Sequence, residues 1–155
     1  MRTKSQGFTL IELIIVITII GILAAIALPK FVAMQADARL AKMNGALGSV
    51  KSAAAMAHGV LLARGFPSDF SGTPAPTIVV EGTSVVYANG YPTAGTIAAL
   101  AGVTGPDYTV PAVAGTTQVF QADAGHTTCT FIYTEALANN QPTYDITGLT
   151  LALCS

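Results

Sequence analysis

The run from Phe8 to Leu28 decides most of what this chain can become. FTLIELIIVITIIGILAAIAL is apolar apart from Thr9, Glu12, Thr18 and Gly21. At 1.5 Å rise per residue, a helix of that length covers roughly 30 Å, the thickness of one bilayer hydrocarbon core. Glu12 is its only charge. A carboxylate at hydrocarbon depth costs about 2.5–3.5 kcal/mol on insertion scales, and no basic residue inside the run neutralises it. The preceding MRTKSQG carries Arg2 and Lys4 and no acid. By the positive-inside rule the N-terminus stays in the cytoplasm, and residues from Lys30 onward are delivered to the far side.

A rival reading starts from Ala25-Ile26-Ala27, a small-residue site at the end of an apolar stretch. Here the run would be a secretory signal peptide, cut after Ala27 to leave a soluble, secreted binding domain. Its apolar region would run about 20 residues, beyond the usual 7 to 15. It would also contain Glu12 and have Pro29 close behind the cut, all of which count against it.

The chain has 155 residues, which suits one domain with a modest core. Charged residues make up only 10%, against about 25% in an ordinary soluble chain. A surface so poor in charge is covered by neighbours or built from Gly, Ala, Ser and Thr. The net charge of −1, with no Lys/Arg cluster, excludes nucleic acid as a partner. Cys129 and Cys154 fit a disulfide formed in an oxidising compartment. Closing about 25 residues would stabilise the fold by roughly 3 kcal/mol on the loop-entropy account. The alternative is two unrelated buried thiols. His126-Thr-Thr-Cys129 is at most half of a metal site, with no second half.

Gly7-Phe8-Thr9-Leu10-Ile11-Glu12, with a basic leader before it and Gly21 and Pro29 behind it, resembles the class III signal of type IV pilins and type II secretion pseudopilins. The resemblance runs without a gap from the leader to Pro29. It implies a leader peptide, residues 1–7, removed by a prepilin peptidase between Gly7 and Phe8, and N-methylation of Phe8. It also implies a membrane-held assembly helix over residues 8–28, with Glu12 pairing with the N-terminal amine of an adjacent subunit. The stretch from Gly21 to Pro29 would melt in the filament.

Physical chemistry supports the part given to Glu12. Cleavage creates an α-ammonium on Phe8, four residues before the carboxylate and one helical turn away. An unpaired charge in an apolar bundle costs several kcal/mol, and a partner across the interface relieves it only in the right axial register. Glu12 then acts as a register key. The plainer alternative is an acid at headgroup level that tolerates the bilayer edge.

Beyond Pro29 the helical signal resumes. Leu40, Met43, Leu47, Val50, Ala54, Ala57 and Leu61 alternate at spacings of three and four, a narrow seam for a packed surface. Lys42, Ser49, Lys51, Ser52 and His58 fall off it, and His58 reads as a solvated flank residue. Gly59, Gly65 and Pro67 mark the end. A helix from Phe8 to about Arg64 would be roughly 85 Å long, its continuation over residues 29–64 amphipathic.

Residues 65–155 read as a β-rich head with a C-terminal disulfide loop. Thr77–Val80 and Ser84–Tyr87, joined by Glu81-Gly82-Thr83, predict a hairpin. Further strands are expected at Thr117–Gln121, Thr128–Thr134 and Asp145–Leu151, and helical periodicity around Ile97–Ala101. The expectation is an α+β pilin fold: a long N-terminal helix packed on a small antiparallel β-sheet, the disulfide loop closing its last two strands. Val85 to Ala94, Cys129 and Tyr133-Thr134-Glu135 resemble the MSHA (mannose-sensitive haemagglutinin) branch of type IV pilins, as do Pro29-Lys30-Phe31 and Asp37-Ala38-Arg39. That resemblance implies a filament used in surface attachment.

An enzyme is not expected. His58 and His126 are the only bases near neutral pH, and no nucleophile elbow, phosphate loop, zinc helix or paired C-x-x-C accompanies them. Asp107, Asp123 and Asp145 read as scattered surface acids in preference to a calcium loop. No cofactor is expected. The partners implied are identical subunits in a helical filament, the prepilin peptidase, the inner-membrane assembly machinery and the membrane before assembly. The pseudopilin, a short periplasmic piston, is the alternative within the same resemblance.

Overall fold

The computed structural model describes residues 7–155; most of the leader, with Arg2 and Lys4, lies outside the described residues. The chain divides into two compact units, the first ending at Gln35 and the second spanning Ala36–Ser155. One helix, α1 (Leu10–Ala63), contributes to both.

In the first unit α1 has no polar face. Leu13-Ile14-Ile15-Val16-Ile17 occupy every direction around the axis, and all are exposed, as are Ile20, Leu23, Ile26 and Phe31. A helix apolar all round is stable only when surrounded by lipid or by other apolar helices. By length and composition α1 can cross a membrane. Thr18 hides its hydroxyl by donating to the Ile14 carbonyl at 2.6 Å. The helix continues through Gly21 and Pro29, although proline has no N–H to offer the Ala25 carbonyl.

In the second unit the seam is buried as its spacing predicts. Met43, Val50, Ala57 and Leu61 have no exposed surface, Ala54 and Leu47 almost none, and Leu40 packs at the margin. Alanines at 46, 53, 54 and 57 let neighbouring segments approach the helix closely. The helix ends in a Schellman motif. Phe66 N–H reaches back to the Leu61 carbonyl and Gly65 N–H to that of Leu62, with Gly65 at φ +81° and Phe66 packed on the core.

Two tight hairpins follow. β1 (Val79–Val80) pairs with β2 (Thr83–Ser84), and β3 (Tyr87–Ala88) with β4 (Tyr91–Pro92), both antiparallel. Their turns, Glu81-Gly82 and Asn89-Gly90, have positive φ at both residues, as type I′ turns require. α2 (Ala94–Leu100) comes next, its first N–H bonded to the Glu135 carboxylate at 2.7 Å. A three-stranded sheet then runs β5 (Thr117–Gln121), β6 (Thr130–Thr134), β7 (Thr143–Asp145), with neighbours antiparallel. Its inward side chains are Gln118, Phe120, Phe131 and Tyr133, and the cross-strand Phe120–Phe131 rings stack at 4.8 Å. Gln118 is polar yet buried, and its Nε2 donates to the Pro111 and Val119 carbonyls at 2.9 Å each.

The architecture is α+β, with three corrections to the expected sheet. It is three small sheets, not one. The first hairpin turns on two residues, not three, because Glu81 and Gly82 both take the left-handed conformation; Thr83 therefore pairs with Val80, and Tyr87 is released to start the second hairpin. The last strand is Thr143–Asp145, not Asp145–Leu151. Asp145 Oδ1 accepts the Thr147 N–H at 2.9 Å and turns the chain there. The Cys129–Cys154 disulfide is formed, with Cα atoms 4.6 Å apart and both residues buried. It ties the entry to β6 to the turns after β7, so it encloses the last two strands.

Candidate functional site

Gly7, Phe8 and Thr9 lie outside the helix, which starts at Leu10. The Gly7–Phe8 peptide bond therefore lies in exposed chain ahead of the first helical turn, open to a protease. Phe8 is 81% exposed.

Thr9 and Glu12 form a reciprocal cap at this end. Glu12 Oε2 accepts the Thr9 backbone N–H at 3.0 Å and the Thr9 hydroxyl at 2.7 Å, while Glu12 N–H donates to Thr9 Oγ1 at 3.3 Å. This is a capping box, and it satisfies donors that a helix N-terminus otherwise leaves free. The carboxylate also faces the positive end of the helix dipole. Thr9 hydrogen-bonds the Glu12 carboxylate without neutralising its charge, a polar partner that the reading of charge alone did not include. The signal for it was in the sequence, a Thr followed three residues later by a Glu just before an apolar run.

The cap uses only one carboxylate oxygen. Among the described residues Oε1 takes no hydrogen bond, so Glu12 is half engaged and can accept a cation without giving up its cap. Gly21 meets no atom within 4 Å of where a Cβ would stand, leaving that position open to close approach by a neighbour. Gly21 and Pro29 both sit inside intact helix.

The polar groups of the second unit serve structure. Asp123 Oδ1 contacts His126 Nδ1 at 2.7 Å, and its Oδ2 lies 3.5 Å from Arg39 Nε. The hydrogen bond from His126 holds the Asp123 carboxyl below its ordinary value. Arg39 also donates to the Cys154 carbonyl at 3.0 Å, fastening the disulfide to α1. Tyr87 and Tyr133 are buried, and their hydroxyls donate to the Ala57 and Pro92 carbonyls at 3.1 and 2.5 Å. Burial raises both phenols. Asp107, Asp123 and Asp145 do not converge, and among the described residues no group of three metal-ligating side chains exists. His58 corrects its sequence reading: it is half-buried, its Nδ1 is 2.8 Å from the Gly90 carbonyl, and its ring stacks on Tyr91 at 4.2 Å.

Comparison with known proteins bears on the capped end above all. A family model, the prokaryotic N-terminal methylation motif, matches residues 2–28. The chain is 48% identical over 65 residues to the type IV narrow pilus major component PilA5 of Thermus thermophilus, covering 42% of this chain and 54% of that protein. It is 55% identical over 58 residues to the fimbrial protein EcpB of Eikenella corrodens, 36% of each. It is 39% identical over 101 residues to the type IV major pilin protein PilE1 of Neisseria gonorrhoeae, 61% of this chain and 45% of that one. The chain spans about half or less of the length of these curated relatives. No solved structure matches. The capped, all-apolar helix therefore carries the prokaryotic N-terminal methylation motif, and the chain is similar to type IV pilins and fimbrial subunits.

Proposed function

We propose that this chain is the structural subunit of a type IV pilus filament, made as a prepilin and polymerised through α1. Its role is mechanical and not catalytic. Before assembly the helix over residues 8–28 holds it in the inner membrane, and afterwards it stands in an extracellular fibre of identical copies. A prepilin peptidase cuts at Gly7, Phe8 becomes the methylated N-terminus, and the inner-membrane assembly machinery extracts the subunit. Within the fibre the stretch from Gly21 to Pro29 loosens, because a glycine and a donor-less proline bracket it. We assign the filament to surface attachment and to the MSHA-type branch, on the residues of Val85 to Ala94 that form the second hairpin.

The observation that carries this reading is Glu12. Its Oε2 is held in the cap and its Oε1 is open, beside the residue whose amine cleavage would create. That arrangement suits a neighbouring subunit's ammonium, and it fixes register because any other axial offset leaves the charge unpaired. The test is purification of surface fibres and intact-mass measurement of their subunit. A mass beginning at N-methylated Phe8 supports the reading; a soluble chain beginning at Leu28 overturns it, and confinement to short periplasmic assemblies favours a pseudopilin. Glu12→Ala is expected to be processed and inserted yet to give at least tenfold fewer fibres, and normal fibre yield would remove the pairing role.

A further inference from the structure

We propose that Asn89 is a self-modification site held shut by the fold, at which deamidation unlatches the second hairpin irreversibly. It goes beyond filament assembly and does not rest on it.

An asparagine followed by a glycine is the pair most ready to react with itself, because glycine has no Cβ to hinder the approach. The glycine nitrogen attacks the asparagine Cγ, a C–N bond forms, and the side-chain nitrogen leaves as ammonia. Water then opens the succinimide ring to aspartate or isoaspartate. Neither oxidant nor reductant takes part. The chain has two such pairs, Asn44-Gly45 and Asn89-Gly90. The first lies inside α1, where the glycine N–H belongs to the helical ladder. The second is the turn between β3 and β4, with Asn89 half-buried at φ +49°. Asn89 lines a concavity of about 310 Å³, which gives access to the water that opens the ring.

What prevents the reaction is visible bond by bond. The attacking nitrogen, that of Gly90, donates its proton to the Phe70 carbonyl at 2.8 Å. The leaving nitrogen, Asn89 Nδ2, donates to the Ala136 carbonyl at 2.8 Å. The Asn89 backbone N–H donates to Ser71 Oγ at 2.9 Å. Nucleophile and leaving group are thus held by different segments, one before β1 and one after β6. Attack requires the Gly90 nitrogen to lose its proton and the side chain to swing towards it, so both bonds must open first. The turn cannot rearrange in place. A Cβ on Gly90 would overlap the Ser68 carbonyl, and His58 Nδ1 bonds the Gly90 carbonyl at 2.8 Å. Reaction therefore waits for the hairpin tip to lift away.

Once it has reacted, the tip cannot settle back. An amide nitrogen donates, whereas a carboxylate only accepts, so the product brings a second acceptor against the Ala136 carbonyl. Isoaspartate also adds a methylene to the backbone of a two-residue turn, which type I′ geometry does not accommodate. A passing opening becomes a lasting one.

The test is mass spectrometry of the full chain in detergent micelles, held for days at mildly alkaline pH with and without urea and then cut with chymotrypsin. The amide-to-acid mass gain reports conversion at each asparagine, with Asn44 as the internal reference. In urea the two sites should convert at similar rates. Without urea Asn89 should convert roughly thirtyfold more slowly, as two hydrogen bonds that must open together imply. Ser71→Ala, at an exposed position, should speed conversion of folded Asn89 about fivefold, the worth of one hydrogen bond, and leave Asn44 unchanged. Asn89→Asp, which stands in for one product, should speed amide exchange at Gly90 about tenfold with β5 and β6 as in the parent. The proposal is overturned if Asn89 converts equally fast with and without urea, if Ser71→Ala converts no faster than the parent, or if Gly90 in Asn89→Asp exchanges at the parent's rate.

Discussion

Two stretches of one helix, built from much the same aliphatic residues, meet opposite surroundings. Ile17, Ile19 and Ile20 are 52–58% exposed, whereas Met43, Val50 and Leu61 are fully buried. Hydrophobicity alone does not explain the difference; spacing does. Before Pro29 apolar residues fill every direction, so no face is singled out and the helix suits a uniform apolar surround. After Leu40 they keep to a three-and-four rhythm, interleaved with alanine and flanked by Lys, Ser and His, so one face is committed to one set of partners in the same chain. The first pattern leaves the surround to be supplied; the second specifies it.

The sharpest way to break this comparison is truncation on both sides. Leu61→Ala should destabilise the second unit by about 2–5 kcal/mol, as buried leucines do. Ile20→Ala should change that unit's stability by less than about 0.5 kcal/mol. Denaturant unfolding of the full chain in detergent reads both, and equal losses would mean the two stretches are not distinct. Removing the disulfide by Cys129→Ser with Cys154→Ser should cost about 3 kcal/mol for a loop of this length, leaving membrane partition of the first unit unaltered.

Alkali should also act on the second unit. Burial raises Tyr87 and Tyr133 above the ordinary tyrosine value of 10.0 and pushes Tyr144 up to about 12. The folded chain therefore keeps phenolic protons that the unfolded chain loses. Their contribution is fully present below pH 10 and declines as pH rises towards 12 and beyond. A stability profile from pH 8 to 12 should fall above 10, and Tyr144→Phe should make that fall shallower. The most local effect belongs to the cap: Thr9→Ala should cost about 1 kcal/mol, seen as faster amide exchange at Ile11 and Glu12 with no change in the second unit.

Local patterns with one physical cause were legible in the sequence. β5 lies at Thr117–Gln121, where alternation puts it, and the Leu40–Leu61 seam is buried along its length apart from marginal Leu40. Features that depend on a second segment were not. The Tyr87–Pro92 hairpin had an Asn-Gly turn to announce it, but its place depends on Gly90 lying so close to the Ser68 carbonyl that a Cβ would overlap that oxygen. His58 looked like a solvated flank because nothing nearby in sequence says that Tyr91 stacks on it. The end of β7 is set by an Asp145 side chain capturing a backbone N–H, which period-two alternation does not encode. At the helix start the reverse held, since the Thr9–Glu12 cap was readable and was hidden by attention to charge alone.

The bond between Cys129 and Cys154 makes a covalent ring that contains all of β6 and β7. The exposed turn from Leu137 to Gln141 lies within that ring, and it is the natural place for a protease to cut. A single nick there releases nothing: the two pieces stay joined through sulfur and migrate as one species until a reductant is added. Damage at this exposed loop is thus recorded without loss of material, and a reducing gel set against a non-reducing one would reveal how often it has occurred.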